Sequence, residues 1–342
     1  MTPLLGIDIG GSGSRVGLRL DRPSGERREF SGERIGVTDA GSSVPGAVSA
    51  LVHAAVDRWP EVVGSLGGVG VGATGVATLV ADPAGFAEAL GAQVRELTGR
   101  PVPVAVAVDA VTAHLGALDG EPGAIVALGT GAIAFGADGR DVWRRVDGWG
   151  HLLGDRGGGA WIGLQALIAA MRAFDGVDAA GAGLLRAARE RFGDPVTWPA
   201  QLYTRPDRAG VLASFAADVL ALAAAGDGAA AAIAEEAGRE AARSGVAALE
   251  ASLPPVIATT GGVFRAGGVL AEAFERTVAQ LRPDARVRPA VGDPLDGALL
   301  LAERAQRGEI GTHAPYVWVA GRADEGRGPG APVVPPSVGG VA

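Results

Sequence analysis

The chain has 342 residues, of which 48% are hydrophobic and 20% charged. This length and composition favour a globular protein with two domains over a disordered chain. All 30 basic residues are arginine, and the formal net charge of −8 argues against a nucleic-acid-binding surface, while the absence of cysteine excludes disulfides, thiolate sites and iron–sulfur clusters within this chain.

The first predicted elements are two short strands joined by a glycine turn. An apolar run over 4–9 ends at glycines, and residues 14–20 alternate after them. The amino-terminal segment lacks the basic and apolar regions of a signal peptide, and no apolar run reaches about 20 residues, so we expect a cytoplasmic protein without a membrane span. Helices are then predicted over 46–58, 84–97 and 109–118, and buried strands over 66–73 and 102–108.

The order of strand, glycine turn and strand starts again at 123–136, which indicates an internal duplication. Helices, strands and a last helix follow, over 159–174, 180–191, 208–225, 229–252, 255–260 (strand), 264–281, 285–288 (strand) and 293–306. The order predicts an α/β protein with two similar lobes around a cleft. The lobes are 1–113, to which the helix at 293–306 returns, and 114–292, while proline and glycine predict a loose tail over 308–342.

Two glycine turns in matching positions are candidate phosphate sites. The first, after Asp8, contains Gly10, Gly11 and Ser12, and the second contains Gly129, Thr130 and Gly131. Glycines let backbone amides approach a phosphate closely, although one such turn alone is equally compatible with an ordinary hairpin. The first turn is neither a dinucleotide fingerprint, because a strand follows it, nor a P-loop, because no lysine is present. The pair predicts phosphates held from both sides of the cleft.

Asp109 directly follows the apolar run over 102–108 and is a candidate catalytic base. A carboxylate at the carboxyl end of a buried strand points into the crevice where α/β proteins bind ligands. An aspartate at this point more commonly caps the following helix, and both roles are compatible here. We therefore predict that Asp109 occupies the capping position and serves as the base to a substrate hydroxyl.

The segment 147–163 has a composition that does not suit a core element. It contains two tryptophans, two aspartates and seven glycines. An indole can cover the face of a sugar ring, and a carboxylate can bind two adjacent hydroxyls, so the segment predicts a carbohydrate at Trp149 and Asp155. Trp161 opens a helix, and we expect it to pack in the core.

Gly261 and Gly262 end a strand before a helix, a position that favours a phosphate or ribose nearby. Together with the motifs above, they resemble the motifs of a known superfamily. In order, they are similar to the phosphate-1, connect, phosphate-2 and adenosine motifs of the actin/hexokinase/chaperone ATPases. The run from Gly148 to Gly163 resembles the N-acetylglucosamine kinase branch, which is grouped with the BadF/BadG/BcrA/BcrD ATPases. The resemblance covers about residues 4–302. It implies two actin-like (ribonuclease H-like) lobes and an ATP- and Mg²⁺-dependent sugar kinase that forms a homodimer.

The resemblance also implies roles for particular residues. Asp8 would hold Mg²⁺ through water, and Asp109 would be the catalytic base. ATP would contact Gly10, Gly11, Ser12, Gly129, Thr130, Gly131, Gly261 and Gly262. The sugar would contact Thr74, Gly75, Asp109, Trp149, His151 and Asp155.

Departures from the family pattern bear on the substrate. Val108 stands where the branch has asparagine, Arg156 where it has glutamate, and Ala132 where serine is common. Altered residues beside the sugar argue against an N-acetyl preference, and the chain resembles actinobacterial glucosamine kinases, so we predict that D-glucosamine is phosphorylated at its 6-hydroxyl. N-acetylglucosamine and muramic-type sugars are the alternatives.

Charge supports the same substrate. The carboxylates of Asp147 and Asp155 would compensate the ammonium of glucosamine. We expect Arg156 to pair with a neighbouring acid or to face solvent, because an unpaired buried guanidinium is costly.

Other protein classes fit the sequence less well. ATPase activators of 2-hydroxyacyl-CoA dehydratases and benzoyl-CoA reductases belong to the same grouping but need cysteines for a cluster at the subunit interface. A sugar-sensing repressor would carry a helix-turn-helix before the first phosphate motif, and we expect none because only three residues precede Leu4. Filament and chaperone ATPases lack the loop that suits a sugar.

Overall fold

A computed structural model describes residues 2–10, 13–20, 27–32, 37–38 and 41–322. Gly11 and Ser12, two of the predicted ATP contacts, lie outside the described residues, as do residues 323–342 of the predicted tail. The strands are β1 Leu4–Gly10, β2 Gly13–Arg19, β3 Arg27–Gly32, β4 Val37–Thr38, β5 Gly41–Ser42, β6 Gly68–Ala73, β7 Val104–Val108, β8 Gly123–Leu128, β9 Ala132–Ala137, β10 Trp143–Asp147, β11 Val256–Thr260, β12 Arg286–Pro289 and β13 Val317–Ala320. The helices are α1 Val44–Arg58, α2 Val76–Leu79, α3 Pro83–Thr98, α4 Asp109–Ala117, α5 Gly159–Phe174, α6 Ala182–Phe192, α7 Trp198–Tyr203, α8 Arg208–Ser214, α9 Ala216–Ala224, α10 Gly228–Ala248, α11 Gly262–Arg265, α12 Gly268–Leu281 and α13 Pro294–Arg307.

Six strands form the first sheet, in the order β13-β7-β6-β1-β2-β3. β1, β6 and β7 are parallel neighbours, whereas β2, β3 and β13 are antiparallel to the strands that they join. β6 is buried along its whole length, as expected for a strand that is covered on both faces. Because the carboxyl ends of β1, β6 and β7 meet at one edge, the residues at these ends lie side by side.

Five strands form the second sheet, in the order β10-β9-β8-β11-β12. β8, β9 and β10 form an antiparallel meander, and β11 is parallel to both β8 and β12. Each sheet therefore begins with a hairpin whose first strand has a parallel neighbour on its other side, β6 in one sheet and β11 in the other. This repetition agrees with the duplication predicted from the sequence.

Helices cover both faces of each sheet. α1 and α3 pack on the outer face of the first sheet, and α5, α10 and α12 on the outer face of the second. α4 and α13 lie between the sheets, where Val111 and Leu301 share one buried cluster with Ala107 of β7 and Ile125 of β8. The two lobes are thus joined by a common core at the base of the cleft, and the α/β architecture agrees with the predicted fold class.

Some element boundaries differ from the prediction. The single helices predicted over 208–225 and 264–281 are each two helices, and the second pair is separated at Gly267, whose φ is +64°. The predicted loose tail from residue 308 is wrong for Val317–Ala320. Val317 and Trp318 are buried, and the strand pairs with β7, because its apolar side chains complete the core at that edge of the sheet.

The predicted division of the chain at residues 113 and 114 falls within α4, and it stays a prediction. In the described part of the chain, no single helix is long and apolar enough to cross a membrane. The helical segments Arg208–Ala224 and Gly228–Ala248 have that length and composition only as a pair bent by 114°, and their buried residues pack in the core of the second lobe.

Candidate active site

A cavity of about 1060 Å³ lies between the two sheets. Asp8 and Gly10 line it from the first sheet, Gly129 and Gly261 from the second, and Asp293 from the start of α13. The structure therefore brings together three of the predicted nucleotide contacts, Gly10, Gly129 and Gly261, around one space. It also brings Asp8, the predicted Mg²⁺ residue, to the same space.

The three glycines of this cavity that were predicted to contact the nucleotide differ in their surroundings. A β-carbon added at Gly10 or Gly129 would meet no atom within 4 Å. Gly261 has a φ of +101° and lies so close to Leu128 that a β-carbon would overlap the Leu128 carbonyl oxygen. Gly10 and Gly129 thus leave open space beside the backbone, whereas the fold itself requires a glycine at 261.

The tip of the β8–β9 hairpin is held by the start of α5. The amides of Gly159 and Ala160 donate to the carbonyl oxygens of Gly129 and Thr130, each at 2.8 Å. Thr130 is exposed at this tip. The hairpin that contains three predicted phosphate contacts, Gly129 to Gly131, is therefore fixed in position before any ligand binds.

The Asp8 carboxylate has an arginine partner that the sequence analysis did not identify. Arg15 lies opposite Asp8 in the β1–β2 pairing, and its Nη2 donates to Asp8 Oδ2 at 2.8 Å. The side chain of Asp8 is only 14% exposed. Burial raises the pKa of Asp8, and the Arg15 guanidinium opposes that rise. A guanidinium therefore compensates the buried charge of Asp8, which is otherwise costly.

Arg15 also connects Asp8 to the helix that returns to the first lobe. Its Nη1 donates to Asp293 Oδ2 at 2.8 Å, and Arg27 Nη2 donates to the same oxygen at 2.8 Å. Asp293 caps α13, since its side chain accepts from the amide of Asp296 at 3.0 Å. Although burial opposes the effect, the hydrogen bonds from Arg27 and Arg15 keep the pKa of Asp293 well below its ordinary range.

The donor set around Asp8 limits how a metal could bind. The described residues contain no group of three or more His, Cys, Asp or Glu side chains that could hold an ion. Mg²⁺ commonly uses one or two carboxylates together with water and substrate phosphates, without an all-protein cage. One partly buried carboxylate at the edge of a cavity lined by glycines fits that mode of binding.

Asp109 lies at the edge where β1, β6 and β7 end. It is the first residue of α4, and Val108 occupies the N-cap position, so the predicted capping position is wrong by one residue. Thr74 follows β6, the strand between β1 and β7, and its amide donates to the Ile9 carbonyl at 2.9 Å. The Thr74 hydroxyl and the amide of Ala110 act on the Asp109 carboxylate and lower its pKa.

The charge state of Asp109 is set by opposing effects. Burial raises the pKa of Asp109, and the negative charge of Asp8 raises it further. The Thr74 hydroxyl, the Ala110 amide and the positive charge of Arg145 lower it. The net result is a pKa above the ordinary value. A carboxylate in this condition holds a proton more readily than a solvated one, as a general base requires.

The segment 147–156 is a loop that is held together by its own aspartates. Asp147 has a φ of +62°, and its Oδ1 and Oδ2 accept from the amides of Asp155 at 2.7 Å and Arg156 at 2.9 Å. Gly154 packs so closely that a β-carbon would overlap Asp147. Both oxygens of Asp147 are therefore engaged in closing the loop, and Arg156 points away to an ion pair with Glu240 at 3.5 Å, as expected.

Asp155 connects this loop to the second glycine hairpin. Its φ is +56°, and its Oδ1 accepts from the amide of Gly150 at 3.1 Å. A β-carbon at Gly131 would overlap its Oδ2, and the Ala132 amide also bonds to the carboxylate. Burial raises the pKa of Asp155. The carboxylate predicted to bind sugar thus also contacts the hairpin predicted to bind phosphate.

Trp149 and His151 lie on the same loop in different environments. The Trp149 side chain is 63% exposed, and the Arg145 guanidinium lies over its ring, 4.2 Å from the centroid. His151 Nε2 is buried without a hydrogen-bond partner among the described residues. Trp161, by contrast, packs against the core of the second lobe, as expected.

Two arginines of the site, Arg15 and Arg145, were missed in the sequence analysis. The position of Arg15 could have been predicted, because the pairing of two strands in a short hairpin determines which residue of β2 lies opposite Asp8. Arg145 gave no comparable signal, since its partners are backbone carbonyls and an indole in the following loop.

The sequence pattern of the BadF/BadG/BcrA/BcrD ATPase family matches residues 5–297, which is most of the chain. The chain belongs to the BadF/BadG/BcrA/BcrD ATPase family. Membership was implied by the resemblance of the run from Gly148 to Gly163, and it is confirmed. The matched range contains both glycine hairpins, Asp109, the loop 147–156 and the start of α13.

Solved structures resemble this BadF/BadG/BcrA/BcrD family member over most of its length. A candidate N-acetylglucosamine kinase from Chromobacterium violaceum is 26% identical with a TM-score of 0.66, over 88% of this chain and 99% of that one. A ROK family glucokinase from Streptomyces griseus, in complex with glucose and AMPPNP, is 20% identical with a TM-score of 0.56, over 88% and 99% of the two chains. The predicted fold of two actin-like lobes is confirmed.

One curated relative matches over a short range. It is the N-acetylmuramic acid/N-acetylglucosamine kinase of Clostridium acetobutylicum, 40% identical over 72 residues. The match covers 21% of this chain and 24% of the relative. This short match agrees with the family assignment.

Proposed function

We propose that this BadF/BadG/BcrA/BcrD family member transfers the γ-phosphoryl group of ATP to the 6-hydroxyl of an amino sugar, with D-glucosamine as the substrate. The observation that carries the proposal is the position of Asp109. Thr74 follows β6 and Asp109 follows β7, at the edge where β1, the strand of Asp8, also ends. The positive charge of Arg145, from the other lobe, acts on the Asp109 carboxylate.

The nucleotide would occupy the cavity between the sheets. Gly10 and Gly129 leave open space on opposite sides of it, so backbone amides could approach phosphate oxygens from both lobes. Gly261 and Gly262, at the start of α11, would lie beside the nucleoside. Mg²⁺, when bound, would neutralise charge on the phosphates, and Asp8 would hold it through water.

Asp109 would act as the base in this reaction. Phosphoryl transfer depends mainly on positioning and on charge stabilisation, so the base orients the acceptor hydroxyl and takes its proton as the bond forms. The partial burial of Asp109 raises its pKa towards the range in which a carboxylate can hold that proton. The Thr74 hydroxyl would fix the orientation of the carboxylate.

The sugar would lie between Asp109 and the loop 147–156. Trp149 offers an exposed indole at this position, and Asp155 and His151 are polar residues of the same loop. Thr74 and Gly75 would line the opposite wall. The names of the relatives, a candidate N-acetylglucosamine kinase and an N-acetylmuramic acid/N-acetylglucosamine kinase, support an amino sugar as the substrate class.

N-acetylglucosamine is the second candidate substrate, and the loop geometry is compatible with it. The carboxylates of Asp147 and Asp155 were predicted to compensate an ammonium, but both are engaged with backbone amides. The positive charge of Arg145 lies over Trp149, where it would repel an ammonium and would tolerate a neutral amide. These contacts reduce the advantage that the sequence predicted for glucosamine.

A coupled assay of ADP release at saturating ATP, with glucosamine, N-acetylglucosamine, N-acetylmuramic acid and glucose, tests the proposal. We expect kcat/KM for glucosamine to exceed that for N-acetylglucosamine by at least about tenfold, a difference of about 1.4 kcal/mol in transition-state binding. A preference for N-acetylglucosamine would replace the substrate and leave the kinase proposal intact. No sugar-dependent ADP release with any sugar would refute the kinase proposal.

The oligomeric state and the location of the protein are also proposed. We propose a cytoplasmic homodimer, and a lobe boundary near residues 113 and 114. Light scattering after gel filtration would test the dimer, since a mass near the 34.0 kDa of one chain would refute it.

A further inference from the structure

Arg145, the central residue of β10, holds the start of the loop that carries Trp149. Its Nε donates to the Asp147 carbonyl at 3.0 Å, and its Nη2 donates to the Gly148 carbonyl. These two residues have φ values of +62° and +75°, so the chain turns sharply at this point. The planar guanidinium bridges both carbonyls of the turn, as its fixed donor geometry allows.

The same guanidinium covers the Trp149 indole. It lies 4.2 Å from the ring centroid, within the range of a cation–π contact. The indole is otherwise 63% exposed, and the loop around it has little apolar packing, because Leu152 and Leu153 are also exposed. The contact with Arg145 is therefore a main restraint on the orientation of the ring.

Arg145 also acts on Asp109 across the cleft. Asp109 belongs to the first lobe and Arg145 to the second, yet the positive charge of Arg145 offsets part of the effect of burial on the Asp109 carboxylate. The other groups that act on this carboxylate are the Thr74 hydroxyl, the Ala110 amide and the negative charge of Asp8. Arg145 thus contacts the proposed sugar platform and influences the proposed base.

We propose that Arg145 is a positioning residue that aligns the sugar-binding loop with the catalytic base. It orients the Trp149 indole and the turn at Asp147 and Gly148, and its positive charge favours the charged form of Asp109. This inference rests on the proposed sugar kinase function. It distinguishes Arg145 from its neighbour Arg144, which is exposed and pairs with Glu250 at 2.6 Å.

The test compares Arg145→Gln and Arg145→Lys with Arg144→Gln as the matched control on the same strand. In Arg145→Gln, we expect kcat to fall by about 10- to 100-fold, as for a misplaced positioning group, and KM for the sugar to rise, while KM for ATP stays within about twofold. The acid limb of the kcat profile should move to higher pH, because the favourable charge is lost. Arg145→Lys should recover part of kcat, and Arg144→Gln should match the wild type.

The orientation of Trp149 is measured without turnover. The emission spectrum of each protein minus that of its Trp149→Phe version isolates this indole, and we expect it to change in Arg145→Gln and not in Arg144→Gln. An unchanged spectrum overturns the inference, as does a kcat within twofold of the wild type. A changed spectrum in a protein whose wild type phosphorylates no sugar supports the positioning of Trp149 and refutes the proposed function alone.

Discussion

Protonation of His114 should destabilise the fold by an amount that follows from its surroundings. His114 is buried on α4, with Nε2 3.0 Å from the Gly123 carbonyl oxygen and its ring edge-on to Phe135. Burial lowers the pKa of His114 from 6.5 to about 4, and the charge of Arg304 contributes, while the Gly123 carbonyl opposes the change. The same helix begins with Asp109, so this histidine helps to hold the proposed base in place.

The sign and size of the effect come from proton linkage. Since the unfolded chain binds this proton at a higher pH than the folded chain, stability is complete above pH 6.5 and falls as the pH is lowered towards 4. A pKa difference of one corresponds to about 1.36 kcal/mol. Between pH 7.5 and 4.5, His114 should therefore remove about 2.5 kcal/mol from the free energy of unfolding.

Urea unfolding of the wild type and of His114→Gln at pH 7.5 and 4.5 measures this quantity. Glutamine does not titrate and retains an N–H donor for the Gly123 carbonyl. Coincident transitions by circular dichroism and by fluorescence establish that a single free energy applies. His53, an exposed histidine on α1, provides the matched control His53→Gln.

The comparison isolates one histidine, because the carboxylates that titrate in the same range are common to all three proteins. The wild type should lose about 2.5 kcal/mol more than His114→Gln over this pH interval. If the two proteins instead change in parallel to within about 0.5 kcal/mol, His114 is not held neutral by burial, and the reasoning is wrong.

Three further predictions concern the proposed active site. Asp109→Asn should lower kcat by about 100-fold or more while sugar and ATP still bind. The kcat of the wild type should fall as the pH is lowered through the raised pKa of Asp109. Near-normal turnover of the variant would contradict the role of Asp109 as the base. Asp8→Ala should raise the Mg²⁺ requirement and leave sugar affinity by calorimetry within about twofold, so an equal loss of sugar affinity would count against this role. Gly10→Ala should keep the melting temperature of the wild type and weaken ATP binding, whereas Gly261→Ala should lower the melting temperature, because only the second β-carbon meets protein atoms; equal melting temperatures would contradict this distinction.

The main elements of the fold could be predicted from the sequence because their signals are local. The apolar run ending at Asp8 and the glycines after it predict a strand and a turn without reference to the rest of the chain. The same pattern at Gly123–Leu128 indicated the duplication. The order of the motifs was sufficient to predict two actin-like lobes, and the run from Gly148 to Gly163 predicted the family.

The parts that could not be predicted depend on contacts between distant residues. Val317–Ala320 is a strand because β7 offers a free edge and the core lacks a cover there, whereas the surrounding prolines and glycines indicate a tail. Asp147 was predicted to compensate the ammonium of the sugar, but its oxygens accept hydrogen bonds from the amides of Asp155 and Arg156. Neither outcome follows from composition or spacing, since each requires the three-dimensional position of a partner.

The environments of Asp8 and Asp109 explain why the two carboxylates should have different roles. Both are at the carboxyl edge of the first sheet, and burial raises the pKa of each. Asp8 accepts a hydrogen bond from the Arg15 guanidinium, and a guanidinium stays protonated at any ordinary pH. Asp8 therefore has a fixed cationic neighbour, which suits a residue that interacts with charges better than one that accepts a proton. The groups that lower the pKa of Asp109 are a neutral hydroxyl, an amide and the charge of Arg145, which is on the other lobe. The proton affinity of Asp109 is therefore not set by a directly bonded cation, as that of Asp8 is, and this suits a residue that takes up a proton.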